Sequence, residues 1–295
     1  MLDISVIILT YNEELHIERA ISNAKRFAKE VFVVDSFSTD GTIEIAERNG
    51  AKVYRHEFRY QADQFNWALD NLPITTEWVF RLDADEYLTE PLIDEIKDTL
   101  AKANVGDGVN GYTAPRQMLF LGRYIKHGIV PMIMLRLFRY KYGRVEDKMM
   151  DEHVMLSEGS VGNLRNPFFD DNHNGLTWWT QKHNGYSTRE ALDLLATEYG
   201  ISLDNGVANT GEHSAYVRKM KLKYVRLPLF WRAFAFFVYR YFFRLGFLDG
   251  KEGFLWHFLQ GFWYRCLADA KVYEIKKNCG FDDDRIRDFL IKSLK

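Results

Sequence analysis

Short apolar runs alternate with longer stretches of helical period through the first hundred residues. Residues 4–9 (ISVIIL), 31–35 (VFVVD), 51–56 (AKVYRH) and 77–82 (EWVFRL) have the length and composition of strands, most of them deeply buried. Between them, residues 14–30 (ELHIERAISNAKRFAKE), Thr42–Asn49 and Gln61–Asn71 read as helices. Gly50 suits a helix C-cap, and Pro91 suits the first position of a further helix. Strands and helices at this spacing predict an α/β fold, a mostly parallel sheet covered by helices on both faces. Ligands of such sheets bind beyond the carboxyl ends of the strands.

The texture changes at Gly111. Glycine-punctuated segments of β character follow (GYTAPR, QMLFLGRYI, IMLRLFRY and HVMLS), and from Thr177 onward the chain is helical in pattern. The expected organisation is a catalytic domain over 1–210, with halves at about 1–110 and 111–210, followed by a helical extension over 211–295.

Polar side chains collect where the predicted strands end. Thr10, Tyr11, Asn12 and Glu13 end the first, Asp35 the second, and Asp83, Asp85 and Glu86 the fourth. Three acids within four residues repel one another, which a divalent cation would relieve and a solvated turn would tolerate. Three polar strand ends on one sheet edge favour a site. The run Asp282–Asp284 precedes an amphipathic segment and is explained by helix capping.

With 295 residues and a net charge of −2, the whole chain shows no electrostatic signature of a nucleic-acid binder. Its two cysteines, Cys266 and Cys279, have no metal or redox spacing. Neither a basic apolar leader nor a stretch of 18 uncharged apolar residues is present, so a secretory signal and a simple membrane span are not expected.

Three segments carry a resemblance: SVIILTYNEE (5–14), VFVVDSFSTDGT (31–42) and RLDADE (81–86), in that order. Together they resemble the family 2 glycosyltransferases, inverting enzymes of the GT-A fold. FLGRYIKHG (120–128), LRLFR (135–139) and LGFLDGKEGF (245–254) resemble the branch containing lipopolysaccharide-core glucosyltransferases and other envelope-polysaccharide enzymes. The resemblance implies Mg²⁺ or Mn²⁺, with Asp85 as direct ligand and Asp83 nearer the ribose or a metal-bound water. It places Thr10, Asn12, Glu13 and Asp35 around the nucleoside, and Arg136, for the donor above all, stands with Arg123, Lys126 and His127 among the candidates for phosphates of donor or acceptor. A general base for the acceptor hydroxyl is implied at Glu152, with Asp151 in reserve and His153 one position late. Where relatives often carry a histidine near the metal this chain has Asp170, with Asp171 and His173 close by. Phe65 stands where relatives often have a basic residue.

From Tyr216 to Leu248 the chain has no acid, while aromatics alternate with basic residues. Arg232, Arg240 and Arg244 recur at multiples of four, which predicts one cationic helix face, with Trp231 and Phe237 among the surrounding aromatics. The pattern suits a helix in the interface of an anionic membrane; the core of a homo-oligomer or a cap on the sheet are the competing readings. The expectation is an inverting, metal-dependent transfer of a hexose from a nucleotide-diphosphate sugar, UDP by resemblance, to a lipid-linked saccharide. Its place would be the cytoplasmic face of a bacterial inner membrane, as a peripheral protein. The alternatives are a polyprenyl-phosphate sugar synthase and a non-catalytic sugar-nucleotide-binding scaffold.

Overall fold

Apolar residues on β1 (Leu2–Thr10) are buried on both sides, because the strand lies inside a sheet with helices on each face. Ile4, Val6 and Ile8 join one core with Ile17, Ala20, Ile21 and Ala24 of α1 (Ile17–Ala24). Ile7 points the other way, into a second core with Phe65, Ala68 and Leu69 of α3 (Gln61–Asn71). The computed structural model describes residues 1–102, 108–129, 132–146, 153–201 and 223–293.

The remaining strands of the first half are β2 (Ala28–Asp35), β3 (Lys52–Arg55), β4 (Trp78–Asp83) and β5 (Glu86–Leu88), with α2 (Thr42–Arg48) and α4 (Glu90–Lys102) as further helices. There follow β6 (Val109–Phe120), β7 (Arg123–Tyr124), β8 (Met132–Arg139), β9 (Gly143–Val145), β10 (Val154–Leu156), β11 (Ser160–Asn163) and β12 (Phe168–Asp171). Among the described residues, ten strands form one sheet in the order β3-β2-β1-β4-β8-β6-β12-β5, with β7 and β11 also paired to β6, and β9 and β10 make a separate hairpin. β1 to β4 are parallel; β8 runs antiparallel between β4 and β6, and β5 antiparallel to β12. The expected α/β architecture, a mostly parallel sheet with helices on both faces followed by a helical region rich in aromatics, is the one formed.

Two compact units divide the chain, one of Met1–Tyr124 with Val130–His173, the other of Ile125–Ile129 with Asn174–Lys295. The boundary expected near residue 210 lies outside the described residues, and α5 (Leu176–Tyr199) groups with the later helices. One expected element is shorter than its pattern: the helix of residues 14–30 ends at Ala24, and β2 already begins at Ala28. Phe27 turns into the core, and its carbonyl accepts the Leu2 N–H, so the chain leaves the helix to join the sheet.

In the helical unit, α5 packs on the helix Tyr264–Asn278 through Ala191, Leu194, Leu195 and Val272. Lys271 Nζ donates to the Asn184 carbonyl and side chain and to Ser187 and Thr188, at 2.7–2.8 Å, so Asn184 serves packing. The helix Trp231–Val238 continues into a π-helical turn, Tyr239–Phe243, and a second π-helical turn spans His257–Trp263. Phe237 sits among the rings of Tyr241, Phe254, Phe258 and Phe262.

Two of the three arginines expected on a cationic face are not surface groups. Arg232 is buried against Asp269, and Arg240 is buried with its Nε on the Gly128 carbonyl. Arg232 and Arg240, eight residues apart, share a helix face as the spacing predicts, but that face is turned inward, and past the π-helical turn Arg244 no longer follows it. Arg244 is exposed, as are Trp231, Phe234, Tyr239, Phe242 and Phe243.

Candidate active site

The first two strand ends are laced into one edge. Registered opposite each other, Thr10 and Asp35 are joined by the Thr10 hydroxyl, which donates to Asp35 Oδ1 at 2.9 Å. Ser38 donates its backbone N–H to Oδ2 (2.8 Å) and its hydroxyl to Oδ1 (2.5 Å). Asp35 is wholly buried, so its carboxylate shapes the loop from within. Asn12, with φ at +55°, donates its N–H to Ser38 Oγ and accepts the Thr39 N–H on Oδ1, both at 2.8 Å. The Glu13 N–H donates to Thr42 Oγ1 at 2.7 Å. The Glu13 carboxylate takes His16 Nδ1 at 2.7 Å, and His16 Nε2 accepts the His173 backbone N–H at 2.8 Å. That last bond leaves the imidazole proton on Nδ1, facing Glu13.

The third strand end carries the acids. Leu9 registers with Asp83, which brings Asp83 beside the Thr10–Asp35 pair on the same edge. Asp83 Oδ2 accepts Arg136 Nη2 at 3.2 Å, and Arg81 Nε stands 3.8 Å from Oδ1. Burial alone would raise this carboxyl, but Arg136, Arg81 and Arg116 outweigh it and hold it down to about 2. Asp85 is fixed from the far side of the turn. Its Oδ2 accepts Asn172 Nδ2 at 2.9 Å, and its carbonyl accepts the Asp171 N–H (2.9 Å) and Arg19 Nη2 (3.2 Å). Arg19 is itself locked on Asp171 Oδ2 at 2.5 Å.

Glu86, the third acid of the run, is the buried anchor beneath the turn. Its Oε1 accepts Arg136 Nη2 at 2.6 Å and its Oε2 accepts the Asp83 N–H at 3.0 Å. Burial pushes its carboxyl up to about 8 despite Arg136, with Asp83 adding repulsion. Arg136 departs from its expected part: it is buried, braces Asp83 and Glu86, and presents no free surface to a donor phosphate. Asp170 registers opposite Glu86, with Arg116 Nη1 3.4 Å from its carboxylate, while Asp171 is committed to Arg19. Asp151 and Glu152 lie outside the described residues.

Two aromatic rings flank this edge, Tyr11 at the strand end the sequence already marked and Phe37, which it did not. Tyr11 and Phe37 follow the paired strand ends and are exposed, and Phe37 holds φ at +60°. A bulky side chain in the left-handed region stores strain, which functional loops retain.

The acids suit a hard divalent cation. Asp83 is ionised, and Asp85 Oδ1 has no protein partner among the described residues. Among those residues no three His, Cys, Asp or Glu side chains converge as a complete cage. Mg²⁺ is commonly held by one or two carboxylates together with substrate phosphates, so the residues present fit such an ion in company with a diphosphate.

The strand ends of a mostly parallel sheet thus bring two linked loops and an Asp-Ala-Asp turn to one edge, an arrangement suited to a diphosphate-bearing ligand. The glycosyl transferase family 2 model matches residues 5–223, and the chain belongs to that family of glycosyltransferases. An uncharacterized glycosyltransferase of Rickettsia typhi is 28% identical over 284 residues, 93% of this chain and 88% of that protein. The lipopolysaccharide core biosynthesis glycosyltransferase LpsC of Rhizobium meliloti is 30% identical over 170 residues, 56% of this chain and 61% of that protein. Among solved structures, the mannosyltransferase PcManGT of Pyrobaculum calidifontis, in complex with GDP-Man and Mn²⁺, aligns with a TM-score of 0.49. It is 18% identical, over 92% of this chain and 87% of that one.

Proposed function

We propose that this glycosyltransferase moves a hexose from a nucleotide-diphosphate sugar, UDP by resemblance, to a lipid-linked saccharide of a bacterial envelope polysaccharide, with inversion. The observation that carries the donor assignment is the Asp83–Asp85 turn. One carboxylate is ionised by a buried arginine, the other is oriented by Asn172 with an oxygen to spare, and both stand at the carboxyl edge of parallel strands. Asp85, with Asp83 behind it, would hold Mg²⁺ or Mn²⁺, which supplies Lewis-acid stabilisation of the leaving diphosphate. Thr10, Asn12, Glu13 and Asp35 frame the nucleoside by fixing the two loops to each other. Glu152, with Asp151 in reserve, takes the proton of the acceptor hydroxyl as the sugar is transferred.

The acceptor class is supported by the LpsC relative and by the helical unit. Its exposed aromatics, together with Lys223, Arg226, Arg244 and Lys251, suit an anionic bilayer surface, where a lipid-linked hydroxyl is found. Among the described residues no helix is long and apolar enough to cross a membrane. The reading is a peripheral protein on the cytoplasmic face of the inner membrane.

A nucleotide-sugar screen by thermal shift with Mn²⁺ tests the donor, because a ligand of the folded state raises Tm. Asp85→Ala should lose turnover, and Glu152→Gln should lose turnover while keeping the donor-induced shift. Full activity of Glu152→Gln would remove Glu152 as the base, and no shift with any donor would remove the donor assignment.

A further inference from the structure

The cations inside the helical unit are not equally neutralised. Arg232 is matched: Asp269 Oδ1 accepts its Nε at 2.9 Å and its Nη2 at 2.5 Å, with both side chains buried. Arg240, only 7% exposed, has neutral acceptors alone. Its Nε donates to the Gly128 carbonyl at 2.8 Å and its Nη1 to the side-chain oxygen of Gln260. Arg265, partly buried one helical turn before Asp269, lies beside Tyr224, and its Nε has no hydrogen-bond partner among the described residues. Neither Arg240 nor Arg265 has a carboxylate at ion-pair distance among those residues, whereas their neighbour Arg232 does.

The two uncompensated guanidinium groups share one ring. Their central carbons stand 5.3 Å (Arg240) and 4.2 Å (Arg265) from the centroid of Phe236. Each therefore adds to the other's cost, and burial together with Arg265 draws the Arg240 guanidinium down to about 10. A buried charge left in this condition is costly unless an opposite charge joins it. A glycine keeps the backbone beside Arg240 uncrowded. A Cβ built at Gly261 would meet no atom within 4 Å except those of Arg240, the nearest being Nη1 at 3.6 Å. Both sides of this space are π-helical turns, Tyr239–Phe243 and His257–Trp263, an irregularity that recurs at functional sites. The same segments bear the outward aromatics Tyr239, Phe242 and Phe243.

We propose that Arg240 and Arg265, with Gln260, form a receptor for a phosphate group, that of a lipid headgroup presented at the aromatic surface. Paired guanidinium forks match phosphate oxygens in a way that neither a single lysine nor a diffuse cationic surface does. The proposal rests on the membrane-surface reading, and its test separates the two.

The full chain is co-sedimented with phosphatidylcholine vesicles carrying either phosphatidic acid or oleate, matched in surface charge. The wild type should bind phosphatidic acid vesicles about tenfold more tightly, the factor expected of one charge-assisted pair. Arg265→Gln and Arg240→Gln should bring the two vesicles to parity. Arg265→Lys, which keeps the charge and loses the fork, should lose most of the preference. Arg244→Gln, at an exposed position, should weaken both equally, and circular dichroism confirms the fold of each variant. A wild type that binds both vesicles equally would overturn the receptor and leave membrane association standing. Binding to neither would remove both. A preference retained by Arg265→Gln and Arg265→Lys would also overturn it. Inorganic phosphate, titrated against Tm at fixed ionic strength, separates the sources: a rise in Tm without any vesicle preference would overturn the lipid assignment in favour of a soluble phosphate.

Discussion

At the scale of single residues, one buried arginine organises the acid turn. Arg136 holds Asp83 ionised and Glu86 in place, and Glu86 returns an oxygen to the Asp83 N–H. Removing Glu86 leaves Arg136 and that N–H short of a partner, so Glu86→Ala should cost about 3 kcal/mol in urea denaturation. Glu86→Gln, a neutral isostere of an acid that burial keeps largely protonated at neutral pH, keeps an oxygen for Arg136 and should cost much less; equal losses would show that an amide cannot replace the contacts of the acid. Asp83 and Asp85 were legible in the sequence because they end a strand. The part of Glu86 was not, since it depends on β5 pairing with β12 and on an arginine fifty residues away on β8. Phe37 was equally hidden, because a positive φ in a phenylalanine has no sequence signature. It is 53% exposed beside the Thr10–Asp35 edge, and under the proposed function it would stack on a donor base. Phe37→Gly should relieve about 1 kcal/mol of backbone strain while raising the donor KM severalfold, as read by thermal melts and initial rates. An unchanged donor KM would remove Phe37 from the site.

At the scale of elements, the apolar runs foretold β1, β2, β3 and β4, because strands buried on both faces leave continuous hydrophobic sequence. The pattern failed where the backbone leaves regular period. The stretch 14–30 keeps helical spacing past the point where Phe27 is drawn into the core, and beyond the π-helical turn Arg244 leaves the buried face that Arg232 and Arg240 share. A histidine on the second π-helical turn gives that region a pH dependence. His257 is fully buried, and a Cβ at Gly128 or Gly246 would fall 2.4 Å or 2.5 Å from its ring. Burial and Arg240 push its pKa down to about 4, with Asp249 and the His127 backbone opposing. In the unfolded chain it titrates near 6.5, so between these values the unfolded state binds the extra proton. Its contribution is complete above about pH 6.5 and is lost as the pH falls towards 4, by up to about 3 kcal/mol. His257→Phe should flatten the Tm profile across that window. A profile identical to wild type would show that other groups carry the acid sensitivity.

At the scale of the whole molecule, a net charge of −2 conceals a division of labour. The acids that matter are gathered at the strand ends of one unit, while the other has a stretch from Tyr216 to Leu248 without a single carboxylate. The aromatic composition of that stretch was plain from sequence. Which rings face outward was not, because Phe237 is half-buried among the rings of Tyr241, Phe258 and Phe262 while Trp231 and Phe243 stand 70% and 75% exposed. Burying one such ring in an acyl boundary yields roughly 1.5–3 kcal/mol, so Phe243→Asp should weaken binding to anionic vesicles by tenfold or more. The donor-induced rise in Tm should be untouched, since every residue assigned to the donor lies in the other unit. Added salt should weaken the binding of wild type further, by screening Arg244 and its exposed neighbours. If Phe243→Asp binds vesicles as the wild type does, the exposed rings serve another purpose, and a concentration-dependent sedimentation coefficient in the wild type alone would assign them to contact between copies of the chain.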